Sequence, residues 1–182
     1  MVKNVCIVIL LLLLTSYSCD TRYPYDREGF TYKGKLVYNN EFRIDGYYFE
    51  KSHNGLGYLT IGITYFFQDG TYCRFSVEYP SDFLNLPAGD FFDIPDKLRE
   101  IPMCWGFYIV EGNVIKVQAY DPGSRSMYRN FKVEERWATI ENDTTIHFFK
   151  NIAPNGKERE NSIRWYFRST ISKPDSTNIL MR

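Results

Sequence analysis

The chain has 182 residues, with 22 basic and 22 acidic side chains in balance. Neutrality without a basic block argues against nucleic acid as a partner. The content of 44% apolar and 18% aromatic residues excludes a largely disordered chain, and the length fits one domain.

Residues 1–18 read as a secretory signal: Lys3, then an apolar run from Val5 to Leu14, then the small-residue exit Thr15-Ser16-Tyr17-Ser18. The run is too short to span a bilayer, which needs about 20 apolar residues. A small residue before Cys19 fits a lipoprotein signal, in which Cys19 becomes the diacylated N-terminus. Two acyl chains suffice for stable anchoring. The small-x-small triplet Ser16-Tyr17-Ser18 also fits an ordinary secretory cut, which leaves Cys19 unmodified. The signal removes Lys3 and no acid, so the mature chain has one more acid than bases. Residues 19–28 are polar and read as a tether. The domain is expected at 29–171, with a long segment at 80–102, and a fraying tail at 172–182.

Fifteen Tyr, fourteen Phe and three Trp, all but Tyr17 in the mature part, dominate the chain, and such residues favour pleated, half-buried surfaces. Period-two alternation predicts strands near 30–38, 42–50, 57–67, 71–79, 104–110, 114–120, 127–140, 144–150 and 163–169. Gln68-Asp69-Gly70 as a three-residue loop pairs Tyr65 with Cys73, Ile63 with Phe75, Ile61 with Val77 and Leu59 with Tyr79. That gathers the apolar residues on one face and leaves Thr60, Gly62, Thr64, Tyr72, Arg74, Ser76 and Glu78 on the other. A one-residue slip scrambles both faces, so the pattern selects the register. By the same logic Glu111-Gly112-Asn113 pairs Ile109 with Ile115 and Phe107 with Val117. A two-residue loop at Asn142-Asp143 pairs Thr139 with Ile146 and Trp137 with Phe148. Sequential hairpins of this kind predict an all-β, antiparallel up-and-down barrel of about eight strands, with a β-sandwich as the alternative. The segment 80–102 is predicted as a loop with one helical turn at Asp96–Glu100.

Four stretches carry a resemblance. Gly46-Tyr47-Tyr48, Phe66-Phe67-Gln68-Asp69-Gly70-Thr71-Tyr72, the run from Trp105 to Ile115 (WGFYIVEGNVI) and Glu141-Asn142-Asp143-Thr144-Thr145-Ile146 resemble lipocalin-like lipoproteins of Bacteroidota, over about residues 42 to 168. The resemblance implies a barrel more than an activity.

On this reading Tyr65, Trp105, Phe107, Trp137 and Phe148 line the barrel interior and form the candidate ligand site, with Phe67, Phe75, Tyr79, Trp165 and Phe167 on the same face. An eight-stranded barrel either fills its interior or holds one small ligand. Glu135 falls among them, either as a buried polar anchor for a ligand or turned outward by a bulge. Cys73 and Cys104 are the pair available for a disulfide in an oxidising compartment if Cys19 is lipidated. Asp143-Thr144-Thr145 and Asp175-Ser176-Thr177 resemble O-glycosylation sites of Bacteroidota, and Ser176 in the tail is expected to be the more accessible. No metal-binding motif, nucleophile elbow or cofactor fingerprint occurs, so no catalytic residue, metal or cofactor is expected. The acidic residues of the long segment (Asp82, Asp90, Asp93, Asp96, Glu100) lack EF-hand spacing.

The function expected from the sequence is a non-enzymatic lipoprotein of the cell envelope, held at the outer membrane by lipid (palmitate) on Cys19 and binding a small apolar or amphipathic ligand. The alternative is an interaction or structural subunit with a filled barrel, contacting an envelope protein.

Overall fold

The computed structural model describes residues 29–33, 42–53, 58–80, 94, 96–121, 132–169, 173–178 and 180. The signal, Cys19, the tether and most of the segment 80–102 lie outside them. The chain forms β1 (Gly46–His53), β2 (Tyr58–Phe66), β3 (Thr71–Pro80), a helical turn α1 (Asp96–Arg99), a 3-10 turn (Pro102–Cys104), β4 (Trp105–Glu111), β5 (Val114–Tyr120), β6 (Val133–Asn142), β7 (Thr145–Ile152) and β8 (Glu158–Ser169). Each strand pairs antiparallel with the next, and β1 returns to β8 from Gly46↔Ser169 to Phe49↔Tyr166. The result is a closed eight-stranded up-and-down barrel, whose β1–β8 and β3–β4 seams are the short ones, paired over Gly46–Phe49 and Thr71–Cys73.

The first hairpin has the expected register, with Tyr65 opposite Cys73 and Leu59 opposite Tyr79. Gly70 supplies the left-handed residue at φ +82°, and the Asp69 carboxylate accepts from the Thr71 amide at 3.0 Å and its hydroxyl at 2.6 Å. The next two hairpins differ from expectation by one residue. Val110 meets Ile115 and Tyr108 meets Val117, so the β4–β5 loop is Gly112-Asn113, with Gly112 and not Asn113 at positive φ. Thr139 meets His147 and Ile140 meets Ile146, and an irregularity between Ile140 and Asn142 moves the turn to Asp143-Thr144. Of the strand expected at 30–38, residues 30–33 lie as a strap across β5 and 34–38 fall outside the described residues, among which the first strand begins at Gly46.

The β4–β5 register rests on Gly106. A Cβ there would stand 2.1 Å from the Gln118 carbonyl oxygen and 2.3 Å from the Tyr72 ring. β3 pairs with β4 only from Thr71 to Cys73. Beyond Cys73 the wall continues against the 3-10 turn, whose Met103 packs on the core.

The tail is docked. Arg99 Nη1 donates to the Asp175 carboxylate at 2.8 Å and to the Thr177 carbonyl at 3.0 Å. The Ser176 hydroxyl donates to Asp69, and Leu180 is buried. Lys173 Nζ donates to the Ile44 and Phe66 carbonyls. These bonds overcome the fraying expected of a short polar terminus.

Two predictions follow from these contacts. Gly106→Ala is expected to destabilise the barrel by about 3 kcal/mol or more, measured by urea unfolding; a neutral effect would mean that β4 and β5 do not approach as described. Burial lowers the Lys173 ammonium from 10.5 to about 8, so the unfolded chain holds this proton more tightly than the folded one. The cost is present in full below about pH 8 and is relieved as pH rises toward about 10.5. Ionising tyrosines act oppositely above about pH 10, so the expected observation is a steeper rise of stability between about pH 8 and 10 in the wild type than in Lys173→Met.

Candidate functional site

Contacts between strands that are not neighbours identify the face that looks inward. Phe66 of β2 meets Tyr108 of β4 with ring centroids 4.9 Å apart. The Arg74 guanidinium of β3 lies 4.9 Å from the Trp165 ring of β8. With a period of two, these contacts place Thr60, Gly62, Thr64 and Phe66, Tyr72, Arg74 and Ser76, Val117 and Ala119, Glu134, Arg136 and Ala138, and Phe148, Ile163 and Trp165 inside.

The expected inner face is therefore inverted over β2–β4. Tyr65, Trp105 and Phe107 are buried on the outside of the barrel, with Phe67 and Phe75, beneath a second apolar layer of Phe30, Tyr32, Ile94, Leu98, Met103 and Leu180. Trp105 Nε1 donates to the Leu98 carbonyl at 2.8 Å. Glu135 is also outside, placed there by the alternation of β6. It accepts from Tyr32 Oη at 2.6 Å and from Trp137 Nε1, so it clamps the strap and does not anchor a ligand. Burial, then the bond to Glu135, holds the Tyr32 phenol well above its ordinary range. Trp137 lies outside between the ammonium groups of Lys116, 4.7 Å from its ring, and Lys150, at 4.6 Å. Of the six candidate ligand residues Phe148 alone lies in the lumen, where Trp165 and Phe167 join it. The side chain of Tyr79 lies outside the described residues.

Cys73 and Cys104 are free thiols that share the outer apolar cluster. Burial pushes both up, Cys104 to about 11. Thr144 is exposed at the β6–β7 turn with its hydroxyl on Asn142 at 2.9 Å. Ser176 is half-buried, which reverses the expected order of accessibility. His147 points outward beside Ser162, as expected.

One end of the lumen is filled by Phe42, Tyr48, Phe66 and Tyr108. Tyr108 Oη donates to the Phe67 carbonyl at 2.8 Å, and burial raises its phenol far above the ordinary value. Elsewhere the lumen is hollow. A cavity of about 190 Å³ is lined by Thr64, Tyr72, Arg74, Val117, Arg136, Phe148, Asn151, Asn161, Ile163 and Trp165. A second, of about 350 Å³, is lined by Glu50, Thr60, Gly62, Tyr72, Arg74, Ser76, Ala119 and Arg136, with Phe75, Met103 and Tyr120 where the wall is covered by the 3-10 turn. Both share Tyr72, Arg74 and Arg136. A larger hollow of about 520 Å³, between Phe149 and Glu158–Asn161, has mostly exposed, charged walls and is a surface groove on the β7–β8 ribbon.

The polar groups of the lumen are unequally satisfied. Arg136 Nε donates to Glu134 Oε1 at 2.6 Å, Nη2 donates to the same oxygen, and Asn151 Nδ2 reaches Glu134 Oε2 at 3.2 Å. Burial pulls the Arg136 guanidinium down, but Tyr72 and Glu134 outweigh it and hold it above its usual value. Arg74 makes one hydrogen bond, to Glu50 at 3.3 Å; burial and the neighbouring Arg136 lower it. Its side chain is walled by six strands yet 36% accessible, so the accessible part faces the cavities. Burial pushes Tyr72 up to about 12. Asn151 Oδ1 is buried without a partner. Among the described residues no group of three or more His, Cys, Asp and Glu is placed to hold a metal ion.

These lumen residues were missed because the sequence offers only a weak signal for them. Arg74 and Arg136 sit on the more polar faces of their strands, which ordinarily face water. The small residues Thr60, Gly62 and Thr64 share the face with Arg74, and Gly62 makes room for the Glu50 side chain and the Trp165 ring, which a Cβ there would meet at 2.9 and 3.0 Å.

No known protein family, no curated protein and no solved structure matches the chain.

Glu134 is only 4% exposed. Arg136→Met should leave it charged and unpaired, costing about 3–5 kcal/mol, whereas the Glu134→Gln/Arg136→Met pair should recover much of that loss. Thermal unfolding of the wild type and the two variants checks this. Equal stability of the single and double variants would show that the two side chains are not coupled.

Proposed function

We propose that this chain is a lipocalin-like lipoprotein of the cell envelope, diacylated on Cys19 at the outer membrane, that binds a small amphipathic ligand in its barrel without transforming it. The observation that carries the reading is the hollow lumen. It is lined on one side by Phe148, Ile163 and Trp165 and on the other by Tyr72, Arg74 and Arg136. Pockets for small molecules combine such apolar walls with a few converging polar groups. A barrel serving only as a scaffold gains from filling its interior, since each unfilled volume forfeits packing energy. Here β2 turns Thr60, Gly62 and Thr64 to the space while its large residues Ile61, Ile63 and Tyr65 pack outside. The reading as an interaction subunit draws little support from the surface: among the described residues the exposed large apolar side chains are Tyr58, Ile101 and Tyr166, in separate places.

Native mass spectrometry of the protein released from its own membrane by mild detergent tests the reading. The expected spectrum shows an acylated mature chain carrying a discrete non-covalent adduct. Ile163→Trp, which projects an indole into the smaller cavity, should remove the adduct while the far-ultraviolet spectrum remains that of the barrel. A bare chain in both proteins would refute ligand binding. An unmodified Cys19 would refute the anchor.

A further inference from the structure

We infer that the lumen selects a ligand bearing a single carboxylate, docked on Arg74, with Glu50 as the internal counter-ion that the ligand's carboxylate displaces. The inference rests on the proposed ligand-binding reading and names the chemistry of the group that is bound.

The two lumen arginines differ in what they have left to offer. Arg136 is committed: two of its N–H groups converge on Glu134, and Asn151 fixes the other carboxylate oxygen. It is a wall element. Arg74 has five N–H donors, of which one is engaged, with Glu50 at 3.3 Å. A distance near the outer limit and a single contact make this a weak pairing compared with the bidentate geometry that guanidinium and carboxylate prefer. The face of Trp165 lies 4.9 Å away and supports the cation without satisfying its donors. The remaining donors of Arg74 have no protein partner among the described residues, and they face the space shared by the two cavities, where a ligand can reach them. A planar acceptor with two oxygens is the group that fits them.

The charge of the lumen narrows the choice. Glu50 lines the larger cavity with both guanidinium groups, while Glu134 is held against Arg136 and lines neither cavity. A dianion such as a phosphate monoester would bring two negative charges to Arg74 with the Glu50 carboxylate already beside it, where like charges repel strongly. A monocarboxylate exchanges with Glu50 and leaves the balance at Arg74 unchanged. Glu50 lines the larger cavity beside Thr60 and Ser76, so it has space in which to withdraw. The walls of the smaller cavity next to Arg74 are Val117, Phe148, Ile163 and Trp165, which suit an apolar body attached to the carboxylate.

The test is titration calorimetry of the mature chain in neutral detergent with an isosteric pair, 4-phenylbutyrate and 4-phenylbutyramide. The wild type should bind the carboxylate roughly ten- to a hundredfold more tightly than the amide, the usual worth of a charged hydrogen-bonded contact. Arg74→Gln should reduce the carboxylate to the level of the amide. Glu50→Gln, which removes the competing counter-ion, should strengthen carboxylate binding several-fold and leave the amide unchanged. Amide binding equal to or tighter than that of carboxylate in the wild type, abolished by Ile163→Trp, would overturn the carboxylate inference and keep the ligand-binding reading. Binding of neither compound to wild type, Glu50→Gln or Arg74→Gln would overturn both. If Arg74→Gln fails to fold, the wild-type preference and the opposite sign of Glu50→Gln still decide. Equal or weaker carboxylate binding in Glu50→Gln would refute the displaced counter-ion.

Discussion

The pairing of Gly46–Phe49 with Tyr166–Ser169 closes the sheet, and the placement of every other side chain depends on it. In an open sheet one face meets the core and the other meets water. Closure turns the two faces into a lumen and an outer wall that are no longer equivalent. The lumen has a fixed, small volume, whereas the outer wall can be covered by as much chain as is available. Here the chain covers the outer wall of β2–β4 with its strap, α1, the 3-10 turn and its tail. Large aromatics can then pack on both sides of the wall: Tyr65, Phe67, Trp105 and Phe107 outside under the added layer, and Tyr48, Phe66, Tyr108 and Trp165 inside, where they leave only part of the lumen to small residues and charged groups.

That arrangement explains which parts of the structure are legible in the sequence. Alternation of apolar residues locates eight strands, and the Asp69-Gly70 turn fixes the first hairpin register, because any slip there would break a face that is apolar over four successive pairs. β4 is apolar on both faces (Tyr108 and Val110 beside Phe107 and Ile109). Slipping it by one residue against β5 costs nothing in the pattern, and the register is set instead by the contact of Gly106 with Tyr72 and Gln118. At Asn142 an irregular residue absorbs the difference. Such positions respond to tertiary contacts, and period-two reasoning has no access to them.

The candidate site shows the same boundary more sharply. A period of two separates residues into two sets but does not say which set is inside. The rule that the more apolar set faces inward holds when water covers the other face. It fails for Tyr65, Trp105 and Phe107 because protein covers them. Arg74 and Arg136 stand on the more polar faces of their strands, which the same rule assigns to water. Their convergence, from β3 and β6, follows only from closure.

The strap offers one mechanical consequence. Residues 29–33 reach the barrel through the Thr31 and Tyr32 amides on Gln118 Oε1, at 2.8 and 3.1 Å, the Gln118 amide on the Thr31 hydroxyl, and the Tyr32 phenol on Glu135. Any tension arriving along the chain from upstream therefore enters at β5 and β6 and not at the first strand, and it loads several hydrogen bonds side by side. Peeling them would uncover the aromatic outer wall before a single strand of the barrel had separated. The barrel is thus insulated from its own leader: a tug on the N-terminus is spent on the strap while the lumen keeps its shape.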